Sequence, residues 1–153
     1  MCSSDLSGVV GAGHVAVSSK GRDRFIHLPS GRALAYRNVR RERFRKKMSD
    51  GSIESKNALR FSSGPMRVET YSGKLAENVT QAIARDLLAD SMLELDRRGY
   101  HLVGHVHDEV IIEDLAGEQS VEAVERIMSV PPKWAEGLPL AAEGFRTYRY
   151  RKG

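Results

Sequence analysis

Two imidazoles and two carboxylates fall within five positions of the stretch HVHDEV, residues 105–110: His105, His107, Asp108 and Glu109. Adjacent acids are hard oxygen ligands, suited to holding Mg²⁺ against substrate phosphates rather than caging it with protein. A two-metal phosphoryl-transfer centre needs ions about 3.5–4 Å apart, clamping the attacking and leaving oxygens. This stretch supplies part of such a centre. His105 and His107 alternate, so on a strand both lie on one face and form an H-x-H pair able to bind Zn²⁺. The longer H-x-H-x-D-H spacing is absent, since Asp108 follows His107 directly. A third reading is purely structural, because acidic residues are common at turn tips. Spacing alone leaves all three open.

The elements on either side decide how these groups are presented. Residues 100–106 and 109–113 are both strand-like, with Val103, Val106, Val110, Ile111 and Ile112 supplying β-branched side chains. Only His107 and Asp108 separate them, which predicts a tight two-residue hairpin. Neither residue is the Gly or Asn that such a turn prefers, and that mismatch points to a tip chosen for chemistry. Upstream, Leu75, Val79, Ile83 and Leu87 recur every four residues, with Ala84, Leu88, Met92 and Leu95 beside them. This predicts a long amphipathic helix over residues 74–98. Arg97 and Arg98 suit the negative end of its dipole, and Gly99 its C′ position. Glu77, Gln81 and Arg85 follow one another at i, i+4 and i+8 on its polar side.

The rest of the chain is less distinctive. Phe25–Leu28 and Ala33–Tyr36 flank Pro29-Ser30-Gly31-Arg32 and read as a small β-hairpin. Residues 37–47, RNVRRERFRKK, hold seven basic side chains, Arg40 and Arg41 among them, and either track a phosphate backbone or form a solvated connector. Residues 48–64, rich in Ser, Gly and Asn, read as a loop, and residues 67–71 as a short strand. A second helix is expected over residues 118–128, ahead of Pro131-Pro132, and a final extended element over residues 138–150. Gly11-Ala12-Gly13 with Ala16 formally fits a dinucleotide-binding pattern. It fails on context, because Ser18, Ser19 and Gly21 follow where a helix should open and residues 30–36 contain no acid.

The chain of 153 residues has a net charge of +4, with 41% hydrophobic and 29% charged residues, proportions of an ordinary globular domain. The charge is unevenly placed: residues 1–60 carry 13 Lys/Arg against 5 Asp/Glu, and the remainder 11 against 15. A basic half suits a polyanion. No apolar stretch approaches the ~20 residues of a membrane span, so no membrane partner is expected. The single Cys2 and the lack of a secretory signal make a reducing cytoplasm the expectation. Residues 1–6, MCSSDL, fit no pattern that follows and match a common sequencing-adaptor end read from a GTG start. They are expected to be a scar, with the native protein extending upstream. Residues 7–22 are expected to be a flexible lead-in, and 23–153 the folded part.

Residues 71–92, YSGKLAENVTQAIARDLLADSM, followed by GYHLVGHVHDEV at 99–110, resemble the carboxy-terminal palm of family A, polymerase-I-like DNA polymerases. LPSGRALAY at 28–36 and WAEGLPLAAEG at 134–144 are similar to the phage and prophage members, so the resemblance spans nearly everything after residue 22. It implies an α+β fold, a partial palm in which the HDE hairpin packs on the long helix, with a second small hairpin upstream. It implies that Asp108 holds Mg²⁺ as the second catalytic aspartate, that Glu109 is its supporting carboxylate, and that His107 lies near the primer terminus. Gln81 would contact the minor groove of primer–template DNA, where an amide can probe any correct pair, with Arg85, Arg40 and Arg41 as further DNA contacts. The family places Asn four positions before Gln81; here that position is Glu77, and Asn78 follows it.

Two family features are missing: the D-Y-S-x-I-E-like strand of the first catalytic aspartate, and the nucleotide-gripping R-x-x-x-K-x-x-x-x-x-x-Y-G helix. The expectation is therefore a last piece of a DNA-directed polymerase in a bacterial or phage-infected cell. Primer–template DNA and deoxynucleoside triphosphate would be its partners, a missing upstream segment would complete the two-Mg²⁺ site, and the isolated chain would be inactive. The alternatives are a non-catalytic nucleic-acid-binding module and a Zn²⁺-dependent hydrolase using His105 and His107.

Overall fold

The computed structural model describes residues 10–12, 15–114, 117 and 119–150. The scar expected at residues 1–6 lies outside the described residues. The chain divides into two compact units, residues 1–81 and 82–153. No described helix is long and apolar enough to cross a membrane. Among the described residues the fold class is mixed, with antiparallel sheets and two α-helices.

The first unit is an antiparallel meander of six strands in sequence order, β1 (Val10–Ala12), β2 (Val15–Lys20), β3 (Asp23–His27), β4 (Ala33–Lys47), β5 (Ile53–Ser63) and β6 (Met66–Thr70). Tight turns set the register. Lys20 faces Asp23 across Gly21-Arg22, and Ser63 faces Met66 across Gly64-Pro65. Gly21 and Gly64 take φ of +59° and +57°, the conformation a two-residue hairpin asks of its first residue. Ile26, Leu28 and Tyr36 form the buried apolar centre, and Phe61 meets the Tyr36 ring edge-on at 5.0 Å.

β4 changes partner part-way along. Residues 33–36 pair with β3, and Arg37 and residues 40–47 with β5, the β4–β5 ladder being broken by a bulge between Arg37 and Arg40 where Asn38 has φ +50°. Asp23 holds this bulge. Its carboxylate accepts the Asn38 N–H at 2.8 Å and the Arg37 guanidinium at 2.6 Å. The Asn38 N–H first, and then Arg37, hold the Asp23 carboxyl below its ordinary range.

The helix α1 (Ser72–Arg97) begins in the first unit and ends in the second. Its end is a Schellman turn: Gly99, at φ +83°, donates to the Asp96 carbonyl and Tyr100 to that of Leu95. The second unit adds β7 (Leu102–Val106), β8 (Glu109–Ile112), α2 (Val121–Met128) and one 3₁₀ turn, Lys133–Ala135. Ala82, Leu88 and Leu95 are its buried apolar residues among those described. Trp134 donates its indole N–H to Asp90 of α1 at 2.6 Å. Ser120 caps α2 by accepting from Ala123.

Four expectations need correction. Residues 48–64, expected as a loop, contain the eleven-residue strand β5. Its Ser and Asn side chains lie on a two-sided ladder with little burial, so apolar alternation is weak even though the backbone pairing is complete. The basic run at 37–47 is the strand β4, not a connector. The lead-in expected over residues 7–22 includes β1 and β2. Residues 138–150 form no strand; the Ala142 and Gly144 N–H groups instead donate to Ser129 Oγ and Glu125 Oε1 at the α2 end. In α1 the buried positions are Ala82, Leu88 and Leu95, while Leu75, Val79, Ile83 and Leu87 are half-buried.

A carboxyl held below its ordinary value stabilises the fold above its unfolded pKa, about 4 for Asp, and loses that contribution as pH falls through the folded value. Tm is therefore expected to be insensitive to Asp23 between pH 8 and about 5 and to drop below about pH 4. Asp23→Asn should lower Tm at neutral pH and shrink the acid drop, as followed by circular dichroism.

Candidate functional site

The hairpin tip forms as its residues require. Val106 faces Glu109 and His105 faces Val110, leaving His107 and Asp108 as the whole connection. His107 takes φ +54°, a left-handed conformation that costs an L-residue roughly 1–2 kcal/mol, although His tolerates it better than branched residues. Gly is the ordinary occupant of such a position. The ladder on both sides holds His107 there.

Asp108 follows at the apex, its side chain exposed and without a hydrogen bond or ion pair among the described residues. Glu109 is half-buried and accepts the Tyr150 hydroxyl at 3.2 Å. Desolvation, and then the Glu109 charge, raise the Tyr150 phenol above its ordinary value, so this donor keeps its proton. At the foot of the hairpin, His101 Nδ1 lies 3.3 Å from Glu113, whose N–H donates to the His101 carbonyl.

α1 reaches the hairpin through Arg85. Its two terminal nitrogens lie 3.1 and 3.0 Å from Nδ1 and Nε2 of His105. A guanidinium only donates and a neutral imidazole offers one acceptor, so at most one approach is a hydrogen bond. The other is contact between the two planar groups. Gln81 stands exposed one helical turn before Arg85 and donates to Glu77 at 3.2 Å. Asn78 does not point to solvent; its amide donates to the Tyr36 hydroxyl at 2.9 Å.

Arg40 and Arg41, adjacent in β4, fall on opposite faces of the sheet. Arg40 pairs with Glu42, which also binds Arg67 at 2.8 Å and Arg60 at 3.4 Å. Arg67 first and then Arg40 hold the Glu42 carboxyl below its ordinary range. Arg41 is exposed and has no ion pair among the described residues. The structure thus gathers His107, Asp108 and Glu109 at one tip, with Arg85 beside His105. Arg40 and Arg41 belong to the other unit.

Among the described residues no group of three or more His, Cys, Asp or Glu is arranged to hold a metal ion. His105 and His107 therefore lack a third partner of the kind a zinc site uses. Asp108 and Glu109 supply hard oxygens fit for one side of a Mg²⁺ site that needs further ligands. No sequence signal links Tyr150 to Glu109, 41 positions earlier. Arg85 was legible as part of a polar stripe, its partner not.

No family model matches the chain, and no solved structure matches it. Over 133 residues it is 44% identical to the DNA polymerase of Bacillus phage SP02, an alignment that takes in 84% of this chain and 19% of that protein. The chain is similar to part of a phage DNA polymerase. It spans about a fifth of the length of that curated relative.

If the ladder forces His107 into its conformation, His107→Gly should stabilise the full chain by about 0.5–1 kcal/mol and His107→Val destabilise it by about 1 kcal/mol or more. Urea unfolding measures both. Equal midpoints for the three proteins would show that the turn carries no strain.

Proposed function

We propose that the chain is the carboxy-terminal part of a family A DNA polymerase palm of the phage type, acting in template-directed addition of deoxynucleotides to a primer. The observation that carries this reading is Asp108, an exposed carboxylate with no partner among the described residues, at the apex of a turn whose neighbour is held at φ +54°. The 44% identity to the phage enzyme supports the same reading. A free carboxylate on a rigid ladder suits cation binding, because little conformational entropy is lost when the ion arrives.

In the complete enzyme, the primer 3′-hydroxyl oxygen attacks the α-phosphorus of a deoxynucleoside triphosphate. The new P–O bond forms as the bond to the pyrophosphate oxygen breaks, and the hydroxyl proton passes to solvent or a nearby base. Mg²⁺, when bound, would supply charge neutralisation at the attacking and leaving oxygens. Asp108 would hold the cation, and Glu109, which accepts from Tyr150, would support it. His107 stands beside the primer end. Gln81, on the exposed side of α1, probes the minor groove, and Arg85 adds a cation beside the hairpin. A carboxylate from an upstream strand and a nucleotide-binding helix complete the site, so residues 1–153 alone are expected not to extend a primer.

A non-catalytic nucleic-acid-binding module is the second reading, favoured by Arg41, Arg43, Arg45 and Lys47 of β4, which have no ion pair among the described residues. One experiment separates the two. The matching stretch of the phage polymerase is replaced by this chain, and primer extension is measured. Extension is expected, and Asp108→Asn in the chimera should lower kcat at least about 100-fold with DNA affinity little changed. A well-folded chimera that binds DNA but extends nothing, or an Asp108→Asn chimera of normal kcat, would overturn the polymerase reading.

A further inference from the structure

Strand alternation sorts the charges of β4 by face. Arg41, Arg43, Arg45 and Lys47 are all exposed on one face, where their partners across β5 are Leu59, Asn57, Ser55 and Ile53. The β6 residues on that face are Thr70, Val68 and Met66, so it carries no acidic side chain. None of the four cations has an ion pair among the described residues; Arg43 alone makes a neutral contact, to Ser55 Oγ at 2.8 Å. The opposite face is different. There Glu42 binds Arg40, Arg60 and Arg67, Lys46 pairs with Glu69, and Arg60 lies over the Phe44 ring.

We propose that the Arg41–Arg43–Arg45–Lys47 face of β4 is a docking surface for the sugar–phosphate backbone of DNA. This rests on the polymerase reading for the identity of the polyanion, and otherwise on charge complementarity. Side chains two apart on an antiparallel strand recur every ~6.8 Å, so the four cations form a straight row about 20 Å long. At one phosphate per cation, the row would neutralise about four phosphates of one strand. Neighbouring like charges repel, and nothing on this face offsets the repulsion until a polyanion arrives. Protection of an open strand edge explains charges of either sign. It does not explain why one face is purely cationic while the other is neutralised by acids.

The test is the binding of the full 153-residue chain to a labelled 20-base-pair duplex by fluorescence anisotropy, between 50 and 200 mM KCl. Four neutralised phosphates give a log–log slope of about −3.6, a loss of about 150-fold in affinity across that range. Arg41→Gln, Arg43→Gln, Arg45→Gln and Lys47→Gln together should bring the slope to within about 1 of zero. Arg41→Lys, Arg43→Lys and Arg45→Lys together, which keep the charge, should retain it, and Lys46→Gln with Lys56→Gln on the other face should change it by less than about 1. Circular dichroism checks that each variant is folded. An unchanged slope in the folded Gln variant, an equal loss in the opposite-face variant, or tight binding to phosphatidylserine vesicles with none to DNA would overturn the inference. Asp108→Asn is expected to leave the slope untouched, so failure of the chimera and failure of this surface read out separately.

Discussion

The connection between Val106 and Glu109 has only two residues, and the antiparallel ladder closes directly on either side of them. That constraint pushes His107 to φ +54° and leaves Asp108 projecting from the apex with no protein partner among the described residues. The β-branched residues of β7 and β8 favour the strands strongly enough to hold an unfavourable residue in the turn. A Gly or Asn would relieve the strain but would remove the imidazole beside the carboxylate. Around the tip, Tyr150 donates to Glu109 and Arg85 lies against His105, leaving Asp108 as the acid without a partner among the described residues.

A second constraint shapes the other unit. Asp23 accepts from Asn38 and Arg37 and so stabilises the bulge in β4 that interrupts its ladder with β5. Beyond the bulge, alternate residues point to opposite faces, which converts a simple run of basic residues into one neutralised and one purely cationic surface. The Glu42 cluster accounts for Arg40, Arg60 and Arg67 structurally. The row from Arg41 to Lys47 has no such structural role, which is why it stands out as a surface for a partner.

Much of this was legible before any coordinates. The four-residue recurrence from Leu75 to Leu87 marked α1, Gly99 marked its end, and the β-branched runs around His107-Asp108 marked the hairpin, because each signal is local and strongly periodic. β5 was not legible: its Ser, Lys and Asn side chains sit on a ladder stabilised by backbone pairing and ion pairs, which leave little apolar pattern. The tail beyond Leu138 was misjudged because backbone N–H groups there find Ser129 and Glu125, partners no spacing rule indicates. At the site, the identities of Asp108 and Glu109 were visible. The supports, Tyr150 and the Arg85–His105 contact, were hidden, since they depend on tertiary approach.

The most direct measurement is paramagnetic line broadening of the backbone amide signals of the chain during titration with Mn²⁺, a substitute for Mg²⁺. Broadening confined to residues 107–110, reached only at millimolar ion because other ligands are needed, and lost in Asp108→Asn, is the expected result. Broadening centred elsewhere, or at the tip but unchanged by Asp108→Asn, would contradict the assignment of that carboxylate to cation binding.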